Sequence, residues 1–211
     1  MPVSRRSLVV EQAAWPTATT LKDHWQWRPE WAIERPCLMW YLTFENQPDL
    51  HELATRAQSC LQGVETVDLV PPQWLHLTLD DVGFVDEMPL ARVDDVLESA
   101  RVGMEGWEVP SMTLGPVDTM ADALVLRAAP EDELGLLRAR LRSSTVTALG
   151  AKASSGPATF WPHVTLAYIN DACDRRTVME PLAAVSSDEV VVARPQLALA
   201  AVTRRDRHYQ W

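Results

Sequence analysis

Two short stretches of the sequence, WLHLTL (residues 74–79) and WPHVTL (residues 161–166), carry most of the information about the fold. They have the same residue at four of six positions, and their histidines stand almost half the chain length apart. Because the whole chain has only five histidines, a chance match is a poor explanation. The repeat indicates an internal duplication that gives two similar lobes.

Each copy of the repeat is predicted to be a β-strand with one polar face. Side chains alternate between the two faces of a strand, so residues two apart point the same way. The residues that share the polar faces are Trp74, His76, Thr78 and Asp80 in the first copy, and Trp161, His163 and Thr165 in the second. If the lobes pack about a pseudo-twofold axis, both histidine–threonine pairs converge in one groove.

The converging pairs point to chemistry on a phosphodiester. Histidine accepts or donates a proton near pH 7, so two histidines on opposite sides of a phosphorus atom form a base and acid pair. Threonine hydroxyls can donate hydrogen bonds to the non-bridging oxygens and stabilise the charge that builds there. We therefore predict His76, Thr78, His163 and Thr165 as catalytic residues. No metal-ligand spacing accompanies them, so no metal and no other cofactor is predicted.

The remaining sequence predicts an α+β fold. Strands are predicted at 37–44, around 74–79, at 107–114, 122–128 and 163–169, and within 190–202; helices are predicted after Pro48, around 93–100, from Pro130 and around 173–180. Several connections resemble hairpins, which favours α+β over a doubly wound parallel sheet. We predict an N-terminal extension at 1–23, a single bilobal domain at 24–211 and a solvated tail, TRRDRHYQW, at 203–211.

The paired motifs His76-Leu77-Thr78-Leu79 and His163-Val164-Thr165-Leu166 resemble the signature of the 2H phosphoesterase superfamily. Within it, the chain is similar to the bacterial branch of 2′-5′ RNA ligase-like proteins and cyclic nucleotide phosphodiesterases, over about residues 24–211. The resemblance implies two pseudo-twofold-related lobes of antiparallel or mixed sheet, with outer helices and a central groove. It also implies activity on 2′,3′-cyclic phosphates or 2′-5′ linkages, with the two histidines as the acid/base pair and the two threonines holding phosphate. Which histidine is the base is left open.

The sequence departs from the pattern of these relatives after each motif. Many relatives have a basic and then an aromatic residue after the first motif, where this chain has Asp80 and Asp81. Relatives often carry Arg two places after the second motif, where this chain has Tyr168. By strand parity Asp80 lies on the histidine face and would repel an anion. Tyr168 has the opposite parity from His163, so it reaches the groove only if the strand bulges or ends.

The charge balance limits the partners. The chain has 19 Lys and Arg against 29 Asp and Glu, a formal charge of −10, which argues against binding long duplex nucleic acid. We predict a small nucleotide or an RNA-terminal phosphate as the substrate. Three scattered cysteines without a CxxC pattern fit a reducing cytoplasm, and the absence of an 18-residue apolar run argues against a membrane span. A monomer in the cytoplasm is predicted.

Aromatic side chains are the candidates for binding a nucleobase, since base–aromatic stacking contributes about 1–3 kcal/mol. The candidate substrate-binding residues are Trp74, Trp161, Tyr168, Tyr41, Trp27 and Arg28. The alternative for Trp74 and Trp161 is packing at the ends of the sheets. The segment HWQWRPEW (24–31) is interpreted as either a lid over the groove or a clasp on the outside of a lobe.

Two other functions stay open beside a metal-independent phosphodiesterase with two-histidine catalysis. One is 2′-5′ RNA ligation or RNA end processing in the same groove, which a steep salt dependence of RNA binding would favour. The other is a nucleotide sensor without catalysis. The intact pair of histidines and threonines argues against the sensor, and tight nucleotide binding without turnover would favour it.

Overall fold

The computed structural model describes residues 15–26, 31, 34–150 and 159–211, and there it has the predicted α+β composition. The helices are α1 (Pro48–Cys60), α2 (Leu90–Gly103), α3 (Glu131–Leu149) and α4 (Arg175–Met179). The strands are β1 (Thr20–Leu21), β2 (Cys37–Thr43), β3 (Val67–Leu69), β4 (His76–Phe84), β5 (Met112–Thr119), β6 (Ala123–Ala129), β7 (His163–Ile169), β8 (Cys173–Asp174), β9 (Val190–Val192), β10 (Gln196–Arg205) and β11 (His208–Gln210).

The two main sheets each contain one copy of the repeated motif. An antiparallel sheet with the order β11-β10-β2-β4 has the first motif at the start of β4. A second antiparallel sheet with the order β3-β7-β6-β5-β9 has the other motif at the start of β7. Strand β4 lies alongside β7, so the two motifs meet where the sheets meet. The α+β fold predicted from the order of strands and helices is confirmed.

Helix α1 shows how local sequence and packing agree. Pro48 stands at the first turn, where its missing N–H costs no hydrogen bond. Leu50, Leu53 and Ala57 recur at helical spacing and are fully or almost fully buried. They pack α1 against β7 and β9, so a helix from the first half of the chain covers the second sheet.

Helix α3 makes the reciprocal contact behind the first motif. Its apolar stripe, Leu134, Leu137 and Leu141, is fully buried, and the helix packs on β4 and β6. The Nε1 atom of Trp40 on β2 donates a hydrogen bond of 3.1 Å to Oγ1 of Thr145 on α3. The back of β4 is therefore held by α3, which leaves the other face of β4 for the groove.

Several predicted segments differ from the structure. The first motif strand begins at His76, because Trp74 belongs to a 3₁₀ helix, Pro72–Trp74. The helix predicted around 173–180 begins at Arg175, after β8.

The strand predicted at 107–114 begins only at Met112, because Pro110 has no N–H to contribute to a ladder. The solvated tail predicted at 203–211 is wrong: β10 continues to Arg205, a turn follows, and β11 pairs back on it. The turn places Asp206 and Arg207 at φ 51° and 55°, the left-handed conformation that reverses the chain.

The N-terminal residues in the described ranges also pack on the lobes. Strand β1 pairs with β8, and Leu21 is fully buried. Nε1 of Trp15 donates a hydrogen bond of 3.2 Å to the main-chain oxygen of Thr119. The predicted boundary between an extension and the domain stays a prediction. No helix among the described residues is long and apolar enough to span a membrane.

Candidate active site

A groove of about 290 Å³ lies between β4 and β7. All four predicted catalytic residues, His76, Thr78, His163 and Thr165, line it. Its other lining residues in the described ranges are His24, Trp31, Met39, Tyr41, Leu79, Asp80, Asp81, Met120, Asp122, Ala123, Arg138, Thr159, Phe160, Trp161, Tyr168 and Tyr209. The structure thus brings the two motifs into one cavity.

Both histidines are held by the same main-chain hydrogen bond. Nδ1 of His76 lies 2.8 Å from the main-chain oxygen of Trp74, and Nδ1 of His163 lies 2.7 Å from that of Trp161. A carbonyl oxygen only accepts hydrogen bonds, so Nδ1 must be the protonated nitrogen in each ring. The neutral rings therefore keep the lone pair on Nε2, the nitrogen available for proton exchange.

Burial keeps both imidazoles neutral near pH 7. Removal from water lowers the pKa of His76 from its usual 6.5 to about 4; the bond to Trp74 opposes this shift and the nearby His163 adds to it. Burial also lowers the pKa of His163, opposed by its bond to Trp161 and by the carboxylate of Asp122. His76 is buried and stacked on Tyr41, whereas His163 is only partly buried.

A β-bulge occurs at the last residue of each motif. Tyr41 pairs with Thr78 and Trp40 with Asp80, which leaves Leu79 as the extra residue on β4. In β7, Val125 pairs with Thr165 and Leu124 with Ala167, which leaves Leu166 as the extra residue. An extra residue reverses the alternation of faces beyond it. The residues that the bulges bring to the groove are Asp81 and Tyr168, each five positions after its histidine.

Asp80 is among the residues that line the groove, but the repulsion of an anion expected from it is offset by two arginines. Strict alternation put this side chain on the histidine face, where it would repel an anion. Instead its carboxylate is completely buried and accepts hydrogen bonds from Arg142 on α3, from Nε at 3.1 Å and from the terminal nitrogen at 2.9 Å. Arg138 lies 3.5 Å from the same carboxylate and also donates to the main-chain oxygen of Leu79 at 2.9 Å. Asp80 therefore anchors the bulge to α3.

The predicted aromatic residues divide into two groups. Tyr41, Trp161 and Tyr168 line the groove; Tyr41 stacks on His76 with ring centroids 4.2 Å apart. Trp74 lies outside the described lining and packs edge-on against Trp211 at 5.0 Å, so its side chain supports the wall behind His76.

Two predicted residues, Trp27 and Arg28, lie outside the described residues. Their neighbour Trp31 is buried, lines the groove, and donates an indole hydrogen bond of 2.8 Å to the main-chain oxygen of Arg35. Trp25 donates a hydrogen bond of 2.9 Å to Asp68.

The sequence reasoning missed a third histidine in the groove. His24 is buried, with Nδ1 2.9 Å from a carboxylate oxygen of Asp122 and Nε2 2.8 Å from the hydroxyl of Tyr209. The ring of His24 lies 4.3 Å from that of Tyr168. These residues come from the N-terminal segment, the turn between β5 and β6, and the C-terminal hairpin. No local motif connects positions so far apart in sequence, so they become visible only in the folded chain.

No cluster of three or more His, Cys, Asp or Glu side chains suited to a metal ion occurs within the described ranges. The predicted independence from metal stays a prediction, for which a chelator experiment is described below.

Comparison with known families gives a match over most of the chain. The model of the 2′-5′ RNA ligase superfamily matches residues 47–200, which include both motifs and the strands that hold them. The chain belongs to this superfamily. It is accordingly a 2H-type phosphoesterase, as the sequence predicted. A search of the curated proteins finds no match.

Solved structures of low sequence identity share the superfamily fold. TT0787 of Thermus thermophilus is 20% identical with a TM-score of 0.58, and the match covers 82% of this chain and 92% of that protein. E. coli LigT complexed with 3′-AMP is 19% identical with a TM-score of 0.53, and the match covers 83% of this chain and 93% of LigT. E. coli LigT complexed with NADP+ is 18% identical with a TM-score of 0.53, and the match covers 84% of this chain and 94% of LigT.

Proposed function

We propose that the protein is a metal-independent phosphodiesterase that hydrolyses 2′,3′-cyclic phosphates or small 2′-5′-linked nucleotides. One observation carries the proposal: two histidines with the same fixed tautomer line one groove together with two threonine hydroxyls. This arrangement supplies a proton acceptor, a proton donor and hydrogen-bond donors for the phosphoryl oxygens.

The reaction on a 2′,3′-cyclic phosphate balances with these residues and one water molecule. The Nε2 atom of one neutral histidine takes a proton from the water as its oxygen attacks phosphorus. The bond from phosphorus to the 2′ or 3′ oxygen breaks, and the other histidine gives the leaving oxygen the proton on its Nε2. Thr78 and Thr165 donate to the non-bridging oxygens. The product is a phosphomonoester, and proton exchange with solvent restores both histidines.

We assign the base to His76 and the acid to His163. His76 is the more deeply buried ring, and its pKa of about 4 keeps it unprotonated at neutral pH. The carboxylate of Asp122 favours the protonated form of His163, which is the form an acid must start from. A phosphodiester anion bound in the groove beside His163 would favour that protonation further.

The volume of the groove and the formal charge of the chain support a small substrate. Its volume of about 290 Å³ is near the lower end of the range of about 300–1,000 Å³ found for ligand pockets. The formal charge of −10 disfavours long polyanions. The complex of E. coli LigT with 3′-AMP is consistent with a mononucleotide or an RNA-terminal phosphate as partner. Because both motifs that supply the proposed catalytic residues lie in this one sequence, a second copy is not needed to provide them, and we propose a monomeric enzyme.

A substrate panel tests the proposal. Purified protein treated with EDTA is incubated with the four 2′,3′-cyclic nucleotides, with 2′-5′-linked diadenosine and, as a control, with 3′,5′-cyclic AMP. We expect hydrolysis of at least one of the first two classes without added metal, and none by the His76→Ala/His163→Ala double variant. Activity that EDTA abolishes would refute metal independence. Nucleotide binding without any turnover would instead favour a sensor.

An RNA experiment separates hydrolysis of small substrates from RNA end joining. We expect a 20-nucleotide RNA with a 2′,3′-cyclic end to bind about as tightly as the mononucleotide, with a shallow dependence on salt. A steep decrease of affinity with salt, together with joined products from RNA fragments, would favour ligation.

A further inference from the structure

The chain contains three tyrosines, and all three line the groove. They come from β2, β7 and β11, which are far apart in sequence. Tyr41 stacks on His76, while Tyr168 and Tyr209 contact each other with ring centroids 5.3 Å apart. Stacking on a base would use only the aromatic rings. A tyrosine also carries a hydroxyl that can donate a hydrogen bond, so these residues can also bind a phosphate.

Two of the phenols stand beside the two threonines that we propose to hold phosphate. Tyr41 on β2 pairs directly with Thr78 on β4, and Tyr168 lines the groove together with Thr165 on the same strand. Tyr168 reaches this place only because of the bulge at Leu166. The groove therefore holds one threonine–tyrosine pair on each motif strand.

The hydroxyl of Tyr41 donates its hydrogen bond to a weak acceptor. It donates to the thioether sulphur of Met39 at 3.4 Å, although the residue is only 1% exposed. A thioether is a poor hydrogen-bond acceptor. A charged phosphoryl oxygen is a much stronger acceptor, so a bound ligand would attract this hydroxyl.

The described lining contains few positive charges to balance an anion. It carries three carboxylates and one guanidinium, and the carboxylate of Asp80 is already paired with Arg138 and Arg142 on α3. The guanidinium, that of Arg138, already donates to Leu79 and lies against Asp80. Among the described lining residues, hydrogen bonds from neutral hydroxyls are therefore an important attraction for a phosphoryl group.

We propose that the phenols of Tyr41 and Tyr168 join Thr78 and Thr165 as donors to the non-bridging oxygens, so that the groove selects singly charged phosphodiesters over doubly charged phosphomonoesters. The catalytic part of this inference rests on the proposed function, whereas the selectivity of binding does not. A second negative charge would add repulsion from the carboxylates of Asp81 and Asp122, which line the groove. The groove therefore binds the monoester product more weakly than the diester substrate, which favours release of the product.

Burial supports the role of both phenols as donors. Removal from water raises the pKa of Tyr41 and that of Tyr168 well above 10, so both keep their proton at any pH where the enzyme operates.

The first experiment removes one hydroxyl at a time. Tyr41→Phe and Tyr168→Phe keep the rings, so the fold is retained, which the thermal midpoint verifies. We expect each to lower kcat/KM for 2′,3′-cyclic AMP by about 10- to 100-fold, the effect of one hydrogen bond to a charged group. The matched control is Ser59→Ala, which removes a hydroxyl that donates to Thr55 on the exposed side of α1. Wild-type kcat/KM in both tyrosine variants would overturn the inference and leave the proposed function intact.

The second experiment measures selectivity without turnover. Calorimetry at pH 8 compares 2′-deoxyadenosine 3′-phosphate, a dianion, with its methyl ester, a monoanion, and chromatography after each titration verifies that the ester is intact. We expect the methyl ester to bind at least 10-fold more tightly to the wild type, and each Tyr→Phe variant to weaken that binding. Equal or tighter binding of the dianion would overturn the inference. Selective binding by a protein that hydrolyses no substrate would refute the proposed function alone.

Discussion

Nδ1 of His76 donates a hydrogen bond of 2.8 Å to the main-chain oxygen of Trp74, two residues earlier in the chain. The same bond recurs at 2.7 Å between His163 and Trp161. The tryptophan of the repeated motif thus contributes its backbone to the site, because its carbonyl oxygen fixes the ring and leaves Nε2 for proton transfer.

Replacement of either histidine should abolish most turnover. We expect His76→Ala or His163→Ala to lower kcat by about 10²- to 10⁴-fold, the usual contribution of general acid or base catalysis. The matched control is His208→Ala, because Nδ1 of His208 makes the same bond, 2.9 Å, to the main-chain oxygen of Asp206 outside the groove. Steady-state rates and circular dichroism check the result. Turnover near the wild-type rate in a folded groove variant would contradict the mechanism.

The pH dependence of kcat/KM should have an acidic optimum. Catalysis needs His76 neutral and His163 protonated, and the pKa of each is lowered from 6.5. We therefore expect a bell-shaped profile with its maximum below pH 6.5, whose alkaline limb reports loss of the proton from the acid. An optimum above pH 7.5 would show that the acid is a group other than His163.

Stability should fall with acid because of His76. Its pKa is about 4 in the folded protein and 6.5 in the unfolded chain, so the unfolded chain binds more protons between these values. This contribution is complete above pH 6.5 and decreases as the pH falls toward 4. Urea unfolding measures the free energy of unfolding at pH 7.5 and at pH 4.5. We expect its decrease between these values to be about 2–3 kcal/mol smaller in His76→Gln than in the wild type. Equal losses in His76→Gln and the wild type would contradict the assignment.

The buried carboxylate behind the first motif should be essential for stability. Asp80 is completely buried between Arg138 and Arg142, and its removal leaves two guanidinium groups without this counter-ion. We expect Asp80→Ala to lower the free energy of unfolding by about 3–5 kcal/mol. Asp95→Ala, which breaks the exposed pair with Arg92, should cost less than about 1 kcal/mol. Urea unfolding of both variants decides; equal small losses would show that Asp80 does not anchor the bulge.

Much of the fold was readable from local pattern. The motif strands, α1 and α3 could be predicted from the spacing of their apolar residues, because this spacing is a property of a single helix or strand. The strand predicted at 107–114 was displaced by Pro110, and the expected tail was wrong because polar residues such as Arg204 and Arg205 gave no sign of pairing. Arg204 donates to the main-chain oxygens of Trp25 and Trp31, contacts that need the folded N-terminal segment.

Local sequence was enough to identify the four motif residues and to predict their meeting in one groove, because a repeated two-residue period puts histidine and threonine on one face of each strand. The surroundings of these residues depend on how the chain folds. A bulge forms only where two strands pair, so it cannot be predicted from one strand. The bulges place Asp80 against the arginines of α3 and bring Asp81 and Tyr168 to the groove. Likewise, His24 and Tyr209 meet across 185 positions of sequence, through packing that no local pattern encodes.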